Sequence, residues 1–152
     1  MESNYPQQLP FPFDEQPKLL VVDDDRETRF MLAWFFEDRG YAVLTAKTGI
    51  EALELIKQEH SIDVILMDVF LPQMGGLEVL SEIQKMKPHP GVIIVSAVAD
   101  REIAQDAFRL GAFDYILKPF DLGQVESTVV ACLGHSEYQR QSWWKRMFKP
   151  AA

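Results

Sequence analysis

The chain has 152 residues, of which 47% are hydrophobic and 25% are charged. That is the size and composition of one soluble globular domain, and it excludes a collagen, a disordered acidic tail and a disulfide-stapled miniprotein. The net charge of −8 argues against direct nucleic-acid binding, which needs clustered Lys and Arg. No apolar run approaches the roughly 20 residues of a membrane span, and the N-terminal residues do not have the pattern of a secretory signal. With Cys132 as the single cysteine, we expect a cytoplasmic protein that does not span a membrane.

Three segments differ in composition and charge. Residues 1–17 hold four of the nine prolines and carry −3, which predicts a flexible N-terminal arm, with docking of Phe11 and Phe13 on the body as the alternative. Residues 18–133 carry 11 basic and 19 acidic residues, or −8, and form the expected domain. Residues 134–152 carry +3, so a basic, aromatic tail follows an acidic body.

From residue 18 onward, short apolar runs alternate with segments of helical periodicity. The pattern predicts strands over 18–23, 41–45, 62–67, 91–96 and 114–117, and helices over 26–39, 48–59, 76–86, 100–110 and 121–133. In the first helix we expect the stripe of Phe30, Met31, Trp34 and Phe35 to face the core. Five strands alternating with five helices predict an α/β fold with a parallel sheet covered on both faces.

A polar residue follows or ends four of the predicted strands: Asp23 with the next two aspartates, Asp68, Ser96 and Lys118. The carboxyl ends of parallel strands meet at one edge, so we expect these side chains to lie together. Crowded carboxylates repel one another and favour a cation, and oxygen ligands with few protein contacts suit Mg²⁺. With an ammonium and a hydroxyl added, the cluster is suited to stabilising a phosphoryl group on a carboxylate.

The tail contains a second candidate for interaction. Ser136 to Gln139 fits a capping box, which predicts a separate helix after the domain. Its aromatic and Met side chains would occupy one arc and its basic side chains the other: Trp143, Trp144, Met147 and Phe148 against Lys145, Arg146 and Lys149. Such a helix could dock on a partner, on the domain itself or on an anionic membrane, and a frayed terminus is the remaining alternative.

Residues 18–133 resemble the receiver domain of two-component response regulators. The resemblance is carried by four motifs, Leu20-Val-Val-Asp23-Asp-Asp25, Leu66-Met-Asp68-Val-Phe-Leu-Pro72-Gln-Met-Gly-Gly76, Val95-Ser96-Ala97 and Gly111-Ala-Phe-Asp-Tyr115-Ile-Leu-Lys118-Pro119-Phe120. It implies a flavodoxin-like (βα)5 doubly wound parallel sheet with strand order 2-1-3-4-5, and a cis bond before Pro119. Gly75 departs from the family pattern, which usually has Asp there, and the change removes a turn-capping carboxylate.

The resemblance also implies a role for each residue of the cluster. Asp68 is the expected phosphoacceptor, with Lys118 and Ser96 contacting the phosphoryl group. The expected Mg²⁺ ligands are Asp23, Asp24, Asp68 and the backbone carbonyl of Phe70. Tyr115, together with Ser96, is the expected switch residue.

The implied function is that of a stand-alone phosphoacceptor in a two-component system or phosphorelay, and not of an enzyme beyond reactions on Asp68 itself. The expected partners are a histidine kinase or histidine phosphotransfer protein and a downstream protein bound by the helix 4, strand 5, helix 5 face; a homodimer formed on phosphorylation is left open. A phosphorylation-independent scaffold and a fragment of a longer regulator are the alternatives. A haloacid dehalogenase-type hydrolase is disfavoured because Arg26 and Glu27 break its motif, and a flavodoxin-like electron carrier because three aspartates would repel the phosphate.

Overall fold

The computed structural model describes residues 16–59 and 61–147, without the side chains of residues 136–147. Its strands are β1 (Lys18–Val22), β2 (Ala42–Ala46), β3 (Val64–Met67), β4 (Gly91–Ser96) and β5 (Asp114–Leu117). Its helices are α1 (Arg26–Asp38), α2 (Gly49–Gln58), α3 (Gly76–Gln84), α4 (Arg101–Arg109) and α5 (Leu122–Met147). The predicted alternation of strand and helix is confirmed.

The five strands form one parallel sheet in the order β2-β1-β3-β4-β5, which confirms the flavodoxin-like fold. β1 lies between β2 and β3, with Leu20 opposite Leu44 on one side and Ile65 on the other. Every strand therefore ends at the same edge of the sheet, and the loops that follow β1, β3, β4 and β5 are neighbours there.

Two apolar layers cover the sheet because alternate residues of a strand point to opposite faces. Leu20 and Val22 of β1 pack with residues of α2, α3 and α4, whereas Leu19 and Val21 pack with residues of α1 and α5. β1, β3 and β4 are buried on both faces, as the continuous apolar run of the third strand predicts, whereas the edge strands β2 and β5 are partly exposed.

Of the four residues of α1 expected to face the core, Phe35 is partly buried and packs against it, but the expectation is wrong for the other three. Phe30, Met31 and Trp34 are 74%, 40% and 64% exposed, and the buried residues of this helix are Leu32 and Phe36. Apolar residues occur almost all round the helix, so its periodicity does not decide which side packs on the sheet. The helix consequently presents an apolar surface to solvent.

The predicted end of the fifth helix is also wrong. The sequence predicts a stop near Leu133 and a new helix from a capping box at Ser136, but α5 continues without interruption to Met147. The intervening Gly134 weakens a helix by about 1 kcal/mol relative to Ala without ending it, and no proline follows it there. The predicted arcs of the tail, which depend on the side chains of Trp143 to Phe148, lie outside the described side chains.

In the part of the chain that the structure describes, no helix combines the length and the apolar character needed to cross a bilayer.

Candidate functional site

The polar residues predicted for the sheet edge are held there by backbone pairing. The Asp23 N–H donates to the Ala46 carbonyl at 3.2 Å, and the Asp68 N–H donates to the Val22 carbonyl at 3.0 Å. Each aspartate therefore extends the sheet by one residue beyond its strand, which fixes the position from which its side chain leaves.

The third aspartate of the first loop has a different task. Asp25 is the N-cap of α1, and its carboxylate accepts hydrogen bonds from the Thr28 backbone N–H at 3.2 Å and the Thr28 hydroxyl at 2.6 Å. These hydrogen bonds hold the pKa of Asp25 below its usual value. The Asp25 N–H in turn donates to Asp23 Oδ1 at 2.9 Å, so the capped helix end steadies the first carboxylate of the cluster.

Asp23, Asp24 and Asp68 form a cluster that offers one carboxylate oxygen each within 4.8 Å of one another. Asp23 is 2% exposed and Asp68 9%, whereas Asp24 lies in solvent. Burial raises the pKa of Asp23 because it penalises the charged form, although hydrogen bonding to Lys118 opposes the shift. The cluster therefore places two of its three carboxylates where water solvates their charge poorly.

Lys118 connects two of these carboxylates. Its Nζ donates to Asp23 Oδ2 at 2.6 Å and to Asp68 Oδ2 at 3.1 Å. Burial acts to lower the pKa of Lys118, but the hydrogen bonds with Asp23 and Asp68 outweigh it and the net shift is upward. With three carboxylates and one ammonium, the cluster has a formal charge of −2. The bond between Lys118 and Pro119 is cis, as expected.

Ser96 and Tyr115 meet at the loop that follows β4. Ser96 is completely buried, and its Oγ accepts a hydrogen bond from the Val98 N–H at 3.3 Å. The Tyr115 hydroxyl donates to the Val98 carbonyl at 2.6 Å. The two predicted switch residues therefore bind the backbone of the same residue, Ser96 at its N–H and Tyr115 at its carbonyl. Burial raises the pKa of Tyr115.

Phe70 follows the cluster on the loop after β3. Its N–H lies 3.4 Å from Asp68 Oδ1, and its ring is 62% exposed. The expected contribution of its backbone carbonyl to a metal site stays a prediction. Nearby, Gly75 is the N-cap of α3 and makes no side-chain cap hydrogen bond, as its departure from the family pattern predicts.

No role was predicted from the sequence for two residues that border the cluster. Arg29 Nη1 donates to the backbone carbonyl of Asp23 at 2.7 Å, a contact that has no sequence signature. Gly76 lies so close to Asp68 that a Cβ there would collide with the Asp68 backbone carbonyl. The Gly-Gly pair at the start of a helical pattern was the available signal for such a close approach.

Comparisons with known proteins agree with this geometry. A family model described as a response regulator receiver domain matches residues 19–130. Regulatory protein AtoC of Escherichia coli strain K12 is 39% identical over 116 residues, which cover 76% of this chain and 25% of that protein. Sporulation initiation phosphotransferase F of Bacillus subtilis strain 168 is 32% identical over 112 residues, which cover 74% of this chain and 90% of that protein.

Solved structures give the same result. The crystal structure of a response regulator receiver domain protein from Clostridium thermocellum is similar with a TM-score of 0.76 and 31% identity, over 81% of this chain and 98% of that one. The matched region spans about a quarter of the length of AtoC and of the other first curated relatives, whereas it spans 90% of the phosphotransferase.

Proposed function

The chain belongs to the family of response regulator receiver domains, and we propose that it is a phosphoacceptor of a two-component system or phosphorelay in which Asp68 receives the phosphoryl group. The observation that carries the proposal is the placement of Lys118 Nζ on both Asp23 and Asp68 within a cluster of three carboxylates. Receiver domains are signalling modules and not classical enzymes, so the only chemistry proposed is that on Asp68.

The cluster fits Mg²⁺. Its donors are all carboxylate oxygens, their formal charge exceeds what Lys118 neutralises, and Asp24 leaves one side open to solvent. We infer that Asp23, Asp24 and Asp68 hold the ion together with the Phe70 carbonyl. When bound, Mg²⁺ neutralises charge on the carboxylates and on the incoming phosphoryl oxygens.

The chain's own groups account for the transfer. A carboxylate oxygen of Asp68 attacks phosphorus, an O–P bond forms, and the N–P bond of a phosphohistidine breaks with its electron pair going to the imidazole nitrogen. The Lys118 ammonium, already 3.1 Å from Asp68 Oδ2, pairs with the phosphoryl oxygens. We propose that the Ser96 hydroxyl, at the end of the neighbouring strand β4, donates to the same oxygens. The donor is a histidine kinase or a histidine phosphotransfer protein.

The output follows from the loop after β4. A shift of Ser96 toward the phosphoryl group would pull on Val98, and the 2.6 Å bond from Tyr115 carries that movement to β5 at the sheet edge. Phe108 of α4 and Leu117 of β5 are 48% and 47% exposed on the adjoining surface. We propose that the α4, β5, α5 face binds a downstream protein in the cytoplasm, with dimerisation on phosphorylation as one form of that binding.

The test is phosphorylation of the purified full chain by acetyl phosphate. Intact mass should rise by one phosphoryl group when Mg²⁺ is present and stay unchanged in EDTA. Asp68→Asn should abolish the gain, while Asp38→Asn, an exposed acidic residue at the end of α1, should leave it intact. Labelling of Asp68→Asn, or equal labelling in EDTA, would contradict the proposal.

A second candidate has a specific observation in its favour. The first curated relatives are about four times as long as the matched region, and one is named as DNA-binding transcriptional regulator NtrC of Escherichia coli strain K12. The chain would then be the receiver portion of a longer regulator with its own output domain. The size of the protein isolated from its native cells separates the two, since a stand-alone receiver has the 17.4 kDa of this chain.

A further inference from the structure

We propose that Arg29 is a positioning residue that orients the peptide unit between Asp23 and Asp24 and thereby sets the Mg²⁺ affinity of the carboxylate cluster. The inference rests on the proposed function, because it concerns the metal site that function requires. It assigns a task to a cation of α1 that touches neither the phosphoacceptor nor Lys118 among the described contacts.

The contact is short and charged. Arg29 Nη1 donates to the backbone carbonyl oxygen of Asp23 at 2.7 Å in partly buried surroundings. Hydrogen bonds with an ionised donor are shorter and roughly twice as strong as neutral ones. The Arg29 backbone is itself fixed, since its N–H donates to the Asp25 carbonyl at 3.1 Å in the first turn of α1. A rigid helix end therefore holds this carbonyl.

This carbonyl orients the next residue. The carbonyl of Asp23 and the N–H of Asp24 belong to one planar peptide unit, so fixing the oxygen fixes the plane from which Asp24 begins. The Asp23 side chain has its own anchors in Lys118 and the Asp25 N–H. Among the described residues, none makes a hydrogen bond to the exposed Asp24 carboxylate. Arg29 thus orients the peptide unit that precedes Asp24, while the bond from the Asp25 N–H to Asp23 Oδ1 orients the peptide unit that follows it.

Charge and positioning predict opposite results. If Arg29 acted only through its positive charge, a neutral residue there would strengthen cation binding, because one repulsion would be lost. If it acts by positioning, the neutral residue frees the peptide unit and weakens binding. Replacing a residue that orients a metal ligand typically lowers the affinity for the metal 10- to 100-fold.

The experiment is calorimetric titration of the full-length chain with MgCl₂. We expect Arg29→Gln to raise the Mg²⁺ Kd about tenfold. Arg29→Lys should raise it severalfold, because an ammonium can donate to the same carbonyl but lacks the planar fork of the guanidinium. The matched control is Arg26→Gln, which removes an exposed positive charge from the same helix end and should leave the Kd unchanged or slightly lower.

Several results would overturn the proposal. If the Mg²⁺ Kd of Arg29→Gln equals that of the wild type or lies below it, Arg29 acts at most through its charge. If Arg26→Gln weakens Mg²⁺ binding as much as Arg29→Gln does, the effect does not depend on the contact with the Asp23 carbonyl. A lower melting temperature in EDTA with an unchanged Kd would mean that Arg29 merely ties α1 to β1. If Arg29→Gln does not fold, as judged by far-UV circular dichroism, a wild-type Kd in Arg29→Lys overturns the inference. A wild-type chain that does not bind Mg²⁺ would instead contradict the proposed function.

Discussion

At the scale of single residues, the structure separates aspartates that the sequence presents as one run. Asp25 caps α1, Asp23 is buried against Lys118, and Asp24 lies in solvent. Three adjacent residues with the same side chain therefore differ in burial, in partner and in the function they can perform.

The residues beside Asp68 bear on how long a phosphoryl group would stay. Hydrolysis needs a water aligned opposite the Asp68 oxygen, and neither the exposed Phe70 ring nor the Val98 side chain can hydrogen-bond to water. We expect slow self-dephosphorylation. Phe70→Asn combined with Val98→Glu should orient the water. If this lowers the activation free energy of hydrolysis by about 1.4 kcal/mol, the phosphoryl group is lost tenfold faster.

The measurement is the decay of phosphoprotein, by intact mass, after the donor is removed. Phe30→Asn is the matched control, because Phe30 is another exposed phenylalanine and belongs to α1, not to the loop after β3. Equal decay in the wild type and the double variant would show that these two positions do not set the lifetime.

At the scale of elements, α3 has to begin directly against the phosphoacceptor loop. A Cβ at Gly76 would collide with the Asp68 carbonyl, whereas one at Gly75 would make ordinary van der Waals contact with the Val69 carbonyl at 3.7 Å. The close approach fixes where the loop returns to the sheet.

We therefore expect Gly76→Ala to lower the free energy of unfolding by about 1–3 kcal/mol, the usual cost of overpacking, even though Ala favours a helix. Gly75→Ala should be neutral or slightly stabilising. Urea unfolding of both variants measures the difference, and phosphorylation of Gly76→Ala should fall as Asp68 is displaced. Equal stability of the two variants would mean that the loop relaxes without cost.

Much of this element-level picture could be predicted from the sequence. The strands are short apolar runs, and a polar residue at or after the end of four of them marks the edge of the sheet where Asp68, Ser96 and Lys118 lie. The core face of α1 could not be predicted, since Phe30 and Trp34 compete with Leu32 and Phe36 for the sheet and only tertiary packing decides. The contact from Arg29 to a backbone carbonyl likewise leaves no pattern in the sequence.

At the scale of the whole molecule, we expect the carboxylate cluster to make the stability of the fold depend on Mg²⁺. A ligand that binds only the folded chain raises the melting temperature by mass action, so Mg²⁺ should stabilise the wild type and EDTA should remove the effect. Asp24→Asn relieves a repulsion of about 1 kcal/mol for charges some 4 Å apart in water, so it should melt higher in EDTA.

The melting temperature of the same variant should rise less with Mg²⁺, because the Asn side chain lacks the negative charge of the Asp24 carboxylate. Thermal unfolding with and without the ion measures both effects, and Asp38→Asn should behave as the wild type in both conditions. An Asp24→Asn protein that melts lower in EDTA and gains as much from Mg²⁺ as the wild type would place the ion elsewhere.

The bridge from Lys118 to Asp23 and Asp68 has a consequence for timing. Because the residue that follows β5 supplies an internal counter-ion, one ammonium holds the two buried carboxylates close together. If Asp68 receives a phosphoryl group as proposed, the cation that pairs with it is already in contact with the acceptor, and we expect the rate of phosphorylation to depend on the encounter with the donor more than on assembly of the site.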